Sequence, residues 1–164
     1  MKKNKSIHFV GIKGVGMTPL AVIAKEAGIK VSGCDIDSEF ITDEVLKKAG
    51  IKPVVEFSPS HIQDADLVIT TGAHGGYDNP EVIAAKKLGI EVWTQGQAVG
   101  EFMKGDIFER VFDGISVSGS HGKTTTTALL AVILKECRLD PTFLVGTGNI
   151  TYLNSCGHFG KGKY

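Results

Sequence analysis

A chain of 164 residues, 42% of them hydrophobic and 22% charged, is long enough to bury one substantial core and part of another, as a globular protein does. Its 18 basic residues balance 18 acidic ones, so net charge supplies no attraction to nucleic acid or to an anionic membrane. Three cysteines, Cys34, Cys137 and Cys156, lie far apart without paired metal-ligand spacing, which reads as reduced cytosolic thiols, two of them buried.

At the start, Lys2, Lys3 and Lys5 read as a solvated terminus. The apolar stretch from Ile7 to Ile12 is too short for a signal sequence, and no segment is long and apolar enough to span a bilayer. Ile7 to Gly11 predicts a buried strand. Ile12-Lys13-Gly14-Val15-Gly16-Met17 turns it into a helix that carries Leu20, Ala21, Ala24 and Ala27 and stops at Gly28. Pro19 is tolerated in the first helical turn, where its missing N–H has no partner to lose. A second strand, Lys30 to Asp35, ends nineteen residues after Gly16. In a nucleotide-binding fold an acid at that place reaches a ribose hydroxyl; equally, Asp35 fits a solvated turn acid that caps the next helix with Asp37 and Ser38.

A helix is expected from about Phe40 to Ala49, then a strand at Pro53 to Phe57, then a core strand from Asp66 that opens into Thr71-Gly72-Ala73-His74-Gly75-Gly76. Glycine-rich loops at strand ends are where open parallel sheets bind ligands. Asn79 caps a helix that has Pro80 at its first position and ends at Gly89; Ile90 to Thr94 is one more strand, followed by a helix from Gln95 to Met103. This alternation predicts a doubly wound parallel sheet through about residue 105, where Lys104-Gly105-Asp106 forms a polar break.

Beyond the break, Val111 to Ser118 predicts a strand feeding Gly119-Ser120-His121-Gly122-Lys123-Thr124-Thr125, and the helix behind it runs on through Ala128, Leu129, Val132 and Ile133. Strand, glycine turn and helix make a phosphate cradle: the helix aims unpaired N–H groups and its positive end at the turn, Lys123 adds a cation, and the Thr124 hydroxyl suits a magnesium ion. The loop is shorter than the common P-loop, with Val117 where that motif has its first glycine. One further strand, Thr142 to Val145, and a glycine-rich tail follow. Two strands are too few for a covered parallel sheet, so the expectation is a domain that is only begun here, with a loose segment from 108 to 164 and an exposed apolar helix face.

Gly-Ser-His-Gly-Lys-Thr-Thr-Thr-Thr at 119–127 resembles the ATP loop of the Mur ligases, the ATP-dependent amide ligases of bacterial peptidoglycan synthesis, and most closely their alanine-adding branch. Ile7 to Met17, Val31 to Asp35, Thr70-Thr71-Gly72-Ala73 with Asn79-Pro80-Glu81, and Asp140 to Phe143 are similar to further family segments in the same order. The resemblance implies a Rossmann-like UDP-sugar-binding domain over 1–105 and an incomplete ATP-binding P-loop domain over 106–164. It implies that Gly14, Val15, Gly16, Met17, Asp35, Thr71, Gly72 and Ala73 contact the UDP-sugar. Gly119, Ser120, His121, Gly122, Lys123, Thr124 and Thr125 would bind ATP, with Lys123 catalytic and Thr124 on Mg2+. The substrates it implies are UDP-N-acetylmuramate and L-alanine, joined in the cytoplasm through an acyl phosphate, with no role for nucleic acid or membrane and little turnover by these residues alone.

Lys13 stands where the family usually carries glycine, and it is either strained or an added phosphate contact. Phe57 falls about where the family often has histidine, and His74-Gly75-Gly76 departs from the usual continuation of its loop, as a hinge or as a ligand contact. A tripeptide-recycling relative shares these loops. An NAD-dependent oxidoreductase is disfavoured because Pro19 stands where the dinucleotide fingerprint needs glycine. A non-catalytic module that senses nucleotide-sugars is the remaining reading.

Overall fold

The computed structural model describes residues 5–164, so Lys2 and Lys3 of the basic start lie outside the described residues. Five strands, β1 (Ser6–Val10), β2 (Lys30–Asp35), β3 (Val54–Val55), β4 (Leu67–Thr70) and β5 (Glu91–Thr94), form a parallel sheet in the order β3-β2-β1-β4-β5. Helices α1 (Thr18–Glu26), α2 (Asp43–Lys48), α3 (Pro80–Lys87) and α4 (Gln95–Lys104) connect or follow the strands. The doubly wound α/β architecture is therefore present.

Both faces of the central strands are covered, and the period of two along each strand sorts their side chains. Ile7 and Phe9 of β1 and Leu67 and Ile69 of β4 join Leu20, Ile23 and Phe102 in one core layer. Val10, Val68 and Cys34 join Ile62, Val82 and Ala85 in the other. Every residue of β1 and β4 is buried, the pattern of parallel strands packed between helices. Asn79 caps α3 as its sequence position requires, its side chain accepting a hydrogen bond from the Glu81 N–H at 2.9 Å.

Two elements depart from expectation. α2 begins at Asp43 rather than Phe40, because the Asp43 carboxylate accepts from the Phe40 N–H and closes a turn ahead of the helix. The strand expected from Val111 to Ser118 does not form. A parallel strand needs a neighbour to take its N–H and C=O groups, and no described strand runs beside this stretch; Val111 is 86% exposed. The later strand is found as β6 (Phe143–Leu144), paired antiparallel with β7 (Gly157–His158) rather than within a parallel sheet.

Helix α5 (Lys123–Glu136) follows the candidate phosphate loop. It packs Ala131 with Phe143, Val145 and Leu153, and it leaves Leu129 and Ile133 more than half exposed, the unpaired apolar face anticipated from its sequence. The tail is nonetheless tied down. The Arg110 guanidinium donates to the carbonyls of Gly160, Lys161 and Gly162 at 2.6–2.9 Å and lies against the rings of Phe112 and Phe159. Phe159 in turn meets Phe108, which meets Phe102 of α4, and β7 lies along α1. Among the described residues no helix is long and apolar enough to cross a membrane. Cys34 and Cys156 are buried and Cys137 is exposed, all as free thiols, which matches the two buried cysteines expected.

Candidate nucleotide-sugar and phosphate sites

The strand order reverses between β1 and β4, where the connections leave toward opposite sides, and open parallel sheets bind ligands at that crevice. Three candidate segments meet there. The loop after β1 is compact: Gly14 N–H donates to the Gly11 carbonyl, and the N–H groups of Met17 and Thr18 both donate to the Gly14 carbonyl. Gly11 has φ +77°, and a Cβ on it would lie 2.6 Å from Cγ2 of Thr71, so only glycine lets the loops after β1 and β4 close against each other.

Asp35, at the end of β2, is 1% exposed, which rules out a solvated turn acid. Its carboxylate accepts from the Lys13 N–H at 2.7 Å and the Ile36 N–H at 2.9 Å, and His74 Nε2 lies 3.4 Å from it. It caps no helix. The carboxylate fixes the glycine loop from behind, and with His74 it joins the ends of β1, β2 and β4. The sequence raised His74 only as a hinge or a ligand contact; its link to Asp35 spans 39 positions of chain and carries no local spacing.

Lys13 is free of backbone strain, since it is not among the residues with positive φ. Its ammonium donates to the Ser38 carbonyl at 2.7 Å, lies 3.3 Å from the Asp43 carboxylate and sits over the Phe40 ring, while its own carbonyl accepts from the Thr42 hydroxyl. It ties the loop to the start of α2. His74, Gly75 and Gly76 all take positive φ, and the Asn79 side chain donates to the His74 carbonyl at 3.0 Å, making an ordered turn; Phe57 stacks on His74 at 5.2 Å between ring centroids. Within the loops, Val15 is 41% exposed and faces solvent, Met17 is buried in the core, and the Thr71 hydroxyl accepts from the Ala73 N–H.

The second candidate loop is separate. Residues 118–126, including Gly119, Ser120, His121, Lys123, Thr124 and Thr125, are solvent-exposed, and none of the described hydrogen bonds joins them to the switch-point loops. Gly122 sits at φ +77° and leads into α5 without a side-chain cap, so the first N–H groups of the helix face the loop. The Lys123 ammonium donates back to the carbonyls of Gly119 at 2.7 Å and Ser120 at 3.3 Å. Uncapped amides, a left-handed glycine and a cation held over the loop form a donor set suited to phosphate oxygens.

A parallel α/β sheet with a glycine loop at its switch point, followed by a glycine-lysine-threonine helix start, is the kind of frame on which α/β proteins hold nucleotides. The family model described as Mur ligase family, catalytic domain, matches residues 6–106. The chain belongs to the Mur ligase family. It is 42% identical over 162 residues to a UDP-N-acetylmuramate--L-alanine ligase of Acetivibrio thermocellus, covering 99% of this chain and 33% of the relative. Among solved structures, the UDP-N-acetylmuramate-alanine ligase of Thermotoga maritima matches with a TM-score of 0.80 at 34% identity, over 96% of this chain and 35% of that one. A UDP-N-acetylmuramate:L-alanyl-gamma-D-glutamyl-meso-diaminopimelate ligase of Neisseria meningitides matches with a TM-score of 0.76 at 32% identity, over 94% and 46%. The chain thus spans about a third of the length of the curated relatives it matches.

Proposed function

We propose that this chain belongs to a ligase that joins L-alanine to the carboxylate of UDP-N-acetylmuramate in the cytoplasm, with residues 1–105 as the UDP-sugar-holding domain and 106–164 as the start of the ATP-binding domain. The observation that carries the reading is 42% identity, along 99% of the chain, to a ligase named for those two substrates. The relatives are about three times as long, and the reaction is assigned to a protein of that full length.

In this reading the loop of Gly14, Val15, Gly16 and Met17 holds the diphosphate, Asp35 keeps that loop in shape at the edge of the ribose, and Thr71, Gly72 and Ala73 close the opposite wall. The amides of Gly119 to Thr125 cradle the phosphates of ATP. Lys123 would give up its two loop carbonyls to steady the phosphates of ATP, and the Thr124 hydroxyl would be the residue that holds Mg2+. Mg-ATP, when bound, would supply the phosphoryl group that activates the sugar's carboxylate, so that the amine of alanine can form the amide bond with loss of inorganic phosphate. The chain's own part is positioning and neutralisation of charge.

The test is release of inorganic phosphate from ATP by the full-length ligase. Release that requires both UDP-N-acetylmuramate and L-alanine, and is lost in Lys123→Ala, is the expected result. Release with an alanine-headed tripeptide but not with L-alanine assigns the recycling reaction instead, which the likeness to the Neisseria structure keeps in view.

A further inference from the structure

Behind the switch point, on the α3 side of the sheet, three side chains that the proposed ligation does not use converge in the core. His8 from β1, Cys34 from β2 and Glu81 from α3 place Nε2, Sγ and a carboxylate oxygen within 4.8 Å of one another, and the three residues are at most 1% exposed. We propose that His8, Cys34 and Glu81 form a site for a divalent cation of the zinc class.

The donor set carries the argument. Thiolate, imidazole and carboxylate are the zinc ligands, with bonds of about 2.0–2.3 Å, which set neighbouring ligand atoms about 3.3–3.8 Å apart in a tetrahedron. His8 Nε2 already lies 3.2 Å from Glu81 Oε2. Cys34 Sγ lies 2.6 Å from the same oxygen, with the thiol proton between them, so this pair opens by about 1 Å as the ion takes the proton's place. The bonds balance: the S–H bond breaks and its proton leaves to solvent, the Nε2–H bond of His8 breaks as an N–H forms at Nδ1 toward the Ser32 hydroxyl, and sulfur, nitrogen and oxygen each donate a lone pair to the metal, with no change of oxidation state. One thiolate, one carboxylate and one neutral imidazole around a doubly charged ion sum to zero charge, the condition under which such groups can stay buried.

The surroundings hold the ligands in the required directions. The Ser32 hydroxyl lies 2.9 Å from His8 Nδ1; a hydroxyl can give or accept, so it supports Nε2 both as a donor to Glu81 and as a metal ligand. On the far oxygen of Glu81, the Ser58 N–H donates at 3.0 Å and His61 Nδ1 lies at 2.7 Å, leaving Oε2 turned toward Cys34 and His8. The His61 side chain, 21% exposed, is the partly solvent-accessible neighbour of the cluster. A cation here ties β1, β2 and α3 together one residue from Asp35.

Cobalt(II) is the probe, because a cobalt–thiolate bond gives a near-ultraviolet charge-transfer band that oxygen and nitrogen ligands do not. Titration of this chain with Co2+ should raise that band to saturation at one ion per chain, and Zn2+ should displace it. The band should vanish in Cys34→Ser and persist in the double variant Cys137→Ser/Cys156→Ser. No band in the unsubstituted chain, or a band that survives Cys34→Ser, overturns the proposal and leaves a buried hydrogen-bonded cluster. Should Cys34→Ser fail to fold, the double variant decides alone: with Cys34 as its one cysteine, its band supports the site and its lack of one refutes it.

Discussion

Asp35 shows what one residue does for a loop. Its carboxylate holds the Lys13 and Ile36 N–H groups and stands beside His74, so removing its charge loosens three strand ends together. Hydrogen bonds to a charged group contribute about 1.5–3 kcal/mol, and asparagine keeps the shape while losing the charge. In Asp35→Asn, the dissociation constant for UDP-N-acetylmuramate by calorimetry is therefore expected to rise about tenfold or more; an unchanged constant would separate Asp35 from the sugar site. The glycine loop and Asp35 were legible in the sequence because both lie within one strand–loop–helix–strand unit. The pairings of His74, His61 and Glu81 were not, since their partners come from other elements and only the folded sheet sets them side by side. The cysteine spacing likewise gave no hint of Cys34 beside His8, because ligands brought in by three separate elements have no sequence period.

At the scale of elements, caps and strand runs were readable wherever the chain supplies its own partners. Asn79 both caps α3 and donates to the turn at His74, and it is 1% exposed. Asn79→Ala should lower unfolding free energy by about 1–2 kcal/mol in urea, from the lost cap and the uncapped buried carbonyl; a change of only a few tenths would show the cap to be dispensable. The strand expected at 111–118 failed for the opposite reason, because an apolar run becomes a strand only beside another strand. The β6–β7 hairpin docks through His158, whose Nδ1 lies 2.8 Å from Glu26 Oε2 and Nε2 3.3 Å from Asp140 Oδ1. Hydrogen bonding to Glu26 raises the His158 pKa against the effect of burial. For Glu26 burial acts upward, but the bonds from His158 and the Phe159 N–H hold its pKa down. The histidine's contribution is complete below its unfolded value of 6.5 and is lost as pH climbs through the raised folded value. The carboxylate's is present above 4.5 and is lost as pH falls through the lowered one. The Tm advantage of the unsubstituted chain over His158→Gln should accordingly peak between about pH 4.5 and 6.5 and shrink on either side. A difference that does not vary with pH would contradict the latch.

Across the whole molecule, the two parts differ in how completely they are built. The central strands of the five-stranded sheet are buried on both faces, and the sheet assembles the loops after β1, β2 and β4 into one crevice. The segment from Val111 onward holds a small cluster around α5, rests on α1 and α4 through β7, Phe108 and Phe159, and keeps Leu129 and Ile133 in water. An apolar cleft of about 270 Å3 lies between Ile23, Val99 and Phe102 on one side and Leu130, Leu134 and Phe143 on the other. We propose that the first part holds the UDP-sugar. Calorimetric titration of the 164-residue chain with UDP-N-acetylmuramate, with NADH as competitor, tests this most directly. Saturable binding of the UDP-sugar that NADH does not displace is the predicted result; binding of NADH without the UDP-sugar would contradict it and make the crevice a dinucleotide site.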